Sequence, residues 1–319
     1  VRPPRLAKLT VSALIASSIF VGAANAAVDP WAPSAAGPRG GEAYARTQSG
    51  LVSAAAVAPA AALPLMTYWG GAVMTTGADI TPIYWGKSWG TATFAGDKMT
   101  GLTTFYGGVG GSKYLNTNTE YTQTVGTKLT PVLNKVTART AIVDTLSDPT
   151  PVPNPTLVLA EVAATLKKAK VTPVSNGYYP VYGALARNPA ASTSCGWHSH
   201  GLIGTVRVKF AFFFNLDGDA GCDPKSTIAG TSQGLAALAN ISAHELSEAL
   251  TDPELNAWYD TAGNENSDKC AWSFSATPAT IGGRTWKLQG NWSNAAYTAG
   301  TGYIDAATKT LNRGCIDTK

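Results

Sequence analysis

The sequence predicts an α+β fold: a mixed sheet, a helix backing it, a second helix that carries chemistry, and a C-terminal lobe stapled by disulfides. Three observations predict it. Val206 to Phe214 (VRVKFAFFF) alternates at first and then becomes wholly apolar, as a strand does when it enters a core. Asn154-Pro155 offers an N-cap and a proline at the first helical position, and Leu157, Val158, Glu161, Val162, Thr165 and Leu166 follow at helical spacing. The four cysteines, Cys195, Cys222, Cys270 and Cys315, all lie in the C-terminal half, and an even number in an exported chain is most simply two disulfides. Order along the chain favours Cys195–Cys222 and Cys270–Cys315, although sequence alone leaves three pairings open.

The first 26 residues read as an export signal. Arg2, Arg5 and Lys8 form a basic start, Val11 to Ala24 is an apolar, small-residue run, and Ala24-Asn25-Ala26 supplies a cleavage site. That run is too short and too rich in Ala and Ser for a membrane span. Val1 in place of methionine fits a GUG start translated literally, and so a bacterial gene. Residues 27–63 are dominated by Ala, Pro, Gly and Ser, with too little large apolar surface to offset ordering entropy, and read as a flexible leader. Residues 64–319 are then one large domain or two closely packed lobes, with a chemistry-bearing helix at about 231–250 and the C-terminal lobe at about 251–319. The expected location is extracellular or periplasmic.

Within that domain, Ile80 to Trp85 looks like a strand whose Pro82 places it at an edge or a strand start. Asp97 to Tyr106 is a helix candidate closed by the glycine-rich 107–111; those glycines follow a helix and precede no phosphate-binding lysine, so a phosphate loop is not expected. Tyr178 to Tyr182 is a short strand. Asn215 to Gly221 reads as a turn; its Asp217-Gly218-Asp219 faintly resembles a calcium loop but lacks the closing glutamate. Lys167, Lys168 and Lys170 read as a solvated helix end that suits the dipole. Removing Arg2, Arg5 and Lys8 with the signal lowers the formal charge from +4 to +1, which leaves no electrostatic footprint for nucleic acid or anionic membrane.

The chemistry-bearing stretch is His244-Glu245-Leu246-Ser247-Glu248, an H-E-x-x-E sequence on an apolar helical run. Residues four apart share a helix face, so His244 and Glu248 can grip one ion while Glu245 leans over the same point as a general base. This is the geometry of the H-E-x-x-H zinc hydrolases with a carboxylate for the second histidine. Thr251-Asp252-Pro253 stops the helix, because proline cannot continue it. Asp268, which follows His244 by 24 positions, is the expected third Zn²⁺ ligand, with Glu265 as its rival. The competing reading of both acids is that they cap a turn. With the helix, strand, strand and metal-helix order, this predicts a zincin-like lobe in which the strand at 206–214 runs beside the cleft and pairs an extended substrate.

Several segments resemble the Exordium, or phosphate-induced protein, family, and its bacterial branch in particular. They are Tyr68 to Met74 (YWGGAVM), Ile83-Tyr84-Trp85-Gly86, Ser194-Cys195-Gly196-Trp197-His198, and His244 to Glu248 with Asp252-Pro253 and Asn256 to Tyr259. Asp268 to Trp272 and Gln289 to Asn294 belong to the same set, and the resemblance spans roughly residues 65–316. It implies secretion, in plants to the cell wall, and a link to growth and nutrient status, without a settled enzyme activity. His198 and His200 are read as structural or as supports for the ligands.

Two functions follow as expectations. One is a secreted zinc-dependent hydrolase, peptidase-like, with His244, Glu248 and Asp268 on the metal and Glu245 as base, acting on an extracellular peptide or cell-wall polymer. Two carboxylate ligands weaken the ion as a Lewis acid relative to a two-histidine set, so a slow or specialised enzyme is expected. The other is a non-catalytic extracellular or cell-wall-associated binding or signalling protein with a structural or vestigial metal site. In that case Trp258, Tyr259, Trp272, Trp286, Trp292 and Tyr297 would form stacking surfaces; core packing is the preferred reading of these aromatics.

Overall fold

The computed structural model describes the backbone of residues 42–44 and all of residues 63–319; the expected signal and its cleavage site lie outside them. An eight-stranded mixed sheet organises the chain. In chain order its strands are β1 (Glu42–Tyr44), β2 (Ala78–Ile80), β3 (Ile83–Trp85), β4 (Val136–Ala138), β5 (Ile142–Asp144), β6 (Gly177–Ala186), β7 (Ser194–Ile203) and β8 (Val206–Asn215). β7 and β8 form an antiparallel hairpin, β6 runs parallel to β8, and β2 and β3 both pair parallel with β6. Pro82 lacks the N–H a ladder needs, so the expected 80–85 strand is interrupted there and restarts at Ile83. β1 falls within the expected leader and adds antiparallel to β7 at Ser194 to Trp197.

Three helices cover the sheet: α1 (Lys98–Val109), α2 (Pro155–Ala169) and α3 (Gln233–Thr251). Strand side chains alternate between faces. Gly196 meets Ile241 of α3, whereas Gly201, an odd number of residues on, meets Leu159 of α2. The two helices therefore lie on opposite faces, and His198, in phase with Gly196, points toward α3. Asn154 caps α2 as its sequence signal predicts, Oδ1 accepting from the Leu157 N–H at 3.0 Å, and Ser232 Oγ caps α3 by accepting from the Leu235 N–H at 3.1 Å. Asp97 leaves its own helix to accept from the Ser232 N–H at 2.8 Å, joining the starts of α1 and α3. At Gly101 a Cβ would fall 2.3 Å from Leu235, so only glycine admits this close crossing of α1 and α3.

α3 is buried from Gly234 to Thr251 because the C-terminal segment covers the face the sheet leaves open. That segment contributes short antiparallel ribbons: Ala279–Ile281 with Arg284–Trp286, Asn291–Trp292 with Cys315–Ile316, and Gly302–Ile304 with Leu311–Arg313. Trp272, Trp286 and Trp292 are core residues, so those three are not stacking surfaces; Trp258, Tyr259 and Tyr297 are partly buried. All described residues belong to one compact unit. Among them no helix is long and apolar enough to cross a membrane.

Cys195 pairs with Cys222 and Cys270 with Cys315, at Cα separations of 5.8 and 5.7 Å. The second bridge ties the turn after Asp268 to the last strand across a sequence separation of 45. Loop-closure entropy for that length corresponds to about 4 kcal/mol. Cys270→Ser with Cys315→Ser should therefore lower the unfolding free energy by about that amount, read by urea denaturation. Non-reducing peptide maps should show both pairs, and a Cys195–Cys270 peptide would contradict the structure.

One sequence expectation is corrected, and the 215–221 turn is found as expected. β8 is internal, hydrogen-bonded along both edges to β7 and β6, so no extended substrate can pair with it. The Asp217 and Asp219 carboxylates are taken by cations of the chain: Lys98 holds Asp217, and Arg187 grips Asp219 at 2.6 and 2.7 Å. The segment is a turn with no calcium-loop chemistry.

Candidate metal centre

His244, Glu245, Glu248, Glu265 and Asp268 lie around the last turns of α3, but Asp268 belongs to neither group of side chains able to hold an ion. His244, Glu245 and Glu248 are 0% exposed and face the C-terminal segment and β7. His244 Nε2 lies 2.9 Å from Glu248 Oε1 and 3.5 Å from Asp268 Oδ1. Glu265 is also inside, fully buried, with Oε1 at 3.8 Å from His198 Nε2. The two rival third ligands are thus both present, on opposite sides of Glu248. A single turn explains why: the Glu265 N–H donates to Asp268 Oδ2 at 3.0 Å, and the Asp268 N–H donates to Glu248 Oε1 at 3.2 Å.

His198, read from the sequence as structural or as a support for the ligands, lies inside the cluster. Its Nδ1 is 3.2 Å from Glu245 Oε2 and 3.7 Å from Glu248 Oε2, and its Nε2 is 3.4 Å from the Asp252 carbonyl oxygen. A proton on Nε2, given to that carbonyl, leaves the Nδ1 lone pair facing the carboxylates, the usual arrangement of a metal-ligating histidine. The available signal was its phase: a histidine in step with Gly196 on a long strand beneath the metal helix. His200, two residues on, instead meets Arg207 at 3.1 Å. Burial, aided by Arg207, lowers its pKa to about 4.

Gln289 was missed as a site residue. Its carboxamide contacts His244 Nδ1 through Nε2, its Oε1 accepts from the Trp272 N–H at 3.2 Å, and its N–H donates to Asn240 Oδ1 at 2.9 Å. It fixes the imidazole ring from behind. A second polar network holds the acidic turn: Asn266 Nδ2 donates to Asn118 Oδ1 at 2.8 Å, Asn118 Nδ2 to Ser247 Oγ at 3.2 Å, and Ser267 Oγ to Asn291 Oδ1 at 2.8 Å.

Electrostatically the cluster is out of balance. Burial pushes the Glu248 carboxyl up to about 7, helped by the neighbouring Asp268 charge and opposed by His244. Burial, then Glu248, drives Glu265 well above the ordinary carboxylate range. His198 is lowered by burial against the pull of Glu248 and Asp252. Burial also works against protonation of His244, yet Glu248 and Asp268 hold it well above its usual value. Asp252 is raised to about 7 by burial, but it has a structural task, accepting the N–H groups of Asn256 and Ala257 at 2.6 Å each.

A divalent cation suits this chemistry. His244 Nε2, Glu248 Oε2 and both Glu265 oxygens are buried without a hydrogen-bond partner, and such atoms are rare in a finished interior. His198, Glu248 and Glu265 form one group able to hold an ion, and His244, Glu245 and Glu248 another, each with its ligand atoms within 4.8 Å of one another. Nitrogen and oxygen donors of this kind suit Zn²⁺ and neighbouring first-row ions. Comparison with known protein families, curated proteins and solved structures gives no match.

Proposed function

We propose that this chain is a secreted zinc-dependent hydrolase of zincin-like architecture, related to the bacterial branch of the Exordium family and acting on an extracellular peptide or cell-wall polymer. The observation that carries the reading is the meeting of His244, Glu248 and Asp268 around buried, unpartnered donor atoms. His244, Glu248 and Asp268 would hold the ion, which when bound supplies Lewis acidity. Glu245 is one position from His244 on the helix and within reach of the same point, where it would accept a proton from the attacking water and return it to the leaving group. His198 Nδ1 lies 3.2 Å from the Glu245 carboxylate, at the edge of the same point. Gln289 holds the His244 ring. Of the three proposed ligands, only the Asp268 side chain keeps any exposure, 10%, which makes it the side from which a substrate would enter. The two disulfides suit an oxidising compartment.

One observation favours a second reading. His244, Glu245 and Glu248 are completely buried, as structural ions are and as open catalytic sites are not. On that reading the chain is a non-catalytic extracellular binding or signalling protein whose ion secures α3 to the C-terminal lobe. Glu245→Gln separates the two, since it preserves shape and removes basicity. As a hydrolase, the variant should keep its zinc and lose turnover of a peptide library by at least about a hundredfold. Wild-type protein that holds zinc yet cleaves nothing in a peptide and glycan screen would overturn the hydrolase and leave the binding protein.

A further inference from the structure

We infer that the centre is dinuclear, with Glu248 bridging two divalent cations, one held by His244 and Asp268 and the other by His198 and Glu265. This rests on reading the site as a metal centre and is independent of whether it is catalytic. The first ground is the partition of the donors. The two groups able to hold an ion share Glu248 and no other residue. Glu248 presents its oxygens separately: Oε1 lies 2.9 Å from His244 Nε2, whereas Oε2 is directed to His198 Nδ1 at 3.7 Å. A carboxylate with one oxygen on each side is the usual bridge of a two-metal site, whose ions stand about 3.5–4 Å apart.

The second ground is Glu265. A single ion on His244, Glu248 and Asp268 leaves its carboxylate with nothing to do, although both oxygens are buried without a hydrogen-bond partner and Oε1 faces His198 at 3.8 Å. Burying a carboxylate in that state is costly, and native interiors pair such groups or give them to a metal. Charge gives the third ground. Glu245, Glu248, Glu265 and Asp268 carry four negative charges when ionised, so one divalent ion leaves two uncompensated and two ions leave none. The adjacent cation of the chain does not help: Lys269 Nζ is turned away to Asp260 Oδ2 at 2.7 Å and the Pro64 carbonyl oxygen at 2.8 Å.

Stoichiometry tests this directly. Full-length secreted protein, stripped by a chelator and titrated with ZnCl₂, should take up two equivalents by native mass spectrometry. Glu265→Gln and His198→Gln should each take up one. Wild type saturating at one equivalent overturns the dinuclear centre and leaves the single-ion reading standing; wild type binding none overturns both. A measurement on wild type alone guards against variants that misfold. MnCl₂-loaded protein should give an electron paramagnetic resonance spectrum broadened by coupling between neighbouring ions, and the isolated six-line spectrum of separate Mn²⁺ at full loading would contradict the bridge.

Discussion

Chelating the metal-loaded protein at pH 8 should lower its melting temperature by at least about 10 °C, and the same treatment at pH 5 should lower it far less. Without a cation the fold favours protonated forms of Glu248 and Glu265, whose carboxyls are raised by burial, Glu248 to about 7. Below about pH 4 folded and unfolded chains both hold these protons, and no penalty arises. Between there and pH 7 the unfolded chain releases protons that the fold retains, so stability falls as pH rises. For Glu248 alone, a rise from 4.5 to about 7 corresponds to roughly 3 kcal/mol. His244 acts in the same direction: its raised pKa contributes stability below pH 6.5 that is lost as pH climbs through the folded value. His198 and His200 have lowered pKa values and cost stability as pH falls below 6.5, while Asp252, raised to about 7, adds to the opposite side. Bound cations remove the penalty by taking the charged carboxylates as ligands. Calorimetry at the two pH values decides the matter, and coincident melts with and without chelator at pH 8 would show that no ion stabilises this fold.

Asn266→Ala should destabilise the protein by about 2–4 kcal/mol and weaken zinc binding by roughly ten- to a hundredfold. Asn266 is fully buried and its hydrogen bonds go to Asn118, Thr251 and the Trp292 N–H, so the effect on metal would be indirect. Its amide donates to Asn118 Oδ1 at 2.8 Å and its oxygen accepts from Thr251 Oγ1 at 3.4 Å, which pins the turn between Glu265 and Asp268 to the end of α3. Removing the side chain strands the buried Asn118 Oδ1 and lets both acids drift from their positions. Urea unfolding reads the first effect and competition with a fluorescent zinc chelator the second. A variant that is destabilised yet binds zinc within about twofold of wild type would show that the turn is placed by other contacts.

The sequence made α2, α3 and β8 visible because their signals are local. Asn154-Pro155 caps in place, α3 carries H-E-x-x-E on an apolar helical run, and VRVKFAFFF reads as a core strand. The H-E-x-x-E geometry and both candidate acids in the following turn were legible for the same reason, since four-residue spacing on a helix fixes a shared face. β7 was not legible. Ser194 to Ile203 contains glycines, serines and histidines in place of an apolar alternation, and it is a strand because β8 pairs with it from Gly196 to Ile203. That tertiary pairing carries His198 to the metal helix, so a ligand-distance histidine was hidden with its strand. Gln289 was hidden for another reason: it reaches His244 from a loop held by Asn240, which no spacing rule connects. The placement of β8 at a cleft edge failed because an apolar strand says that it is buried, not which neighbours bury it.

The most direct test of the metal centre is X-ray absorption at the zinc edge on protein purified by gel filtration without chelator. The account predicts tightly held zinc in a shell of nitrogen and oxygen at about 2.0–2.1 Å, with the outer scattering of histidine imidazole and no sulfur shell near 2.3 Å. Protein that emerges folded and free of zinc, and that leaves added zinc in an all-oxygen hydrated shell without imidazole, would contradict it.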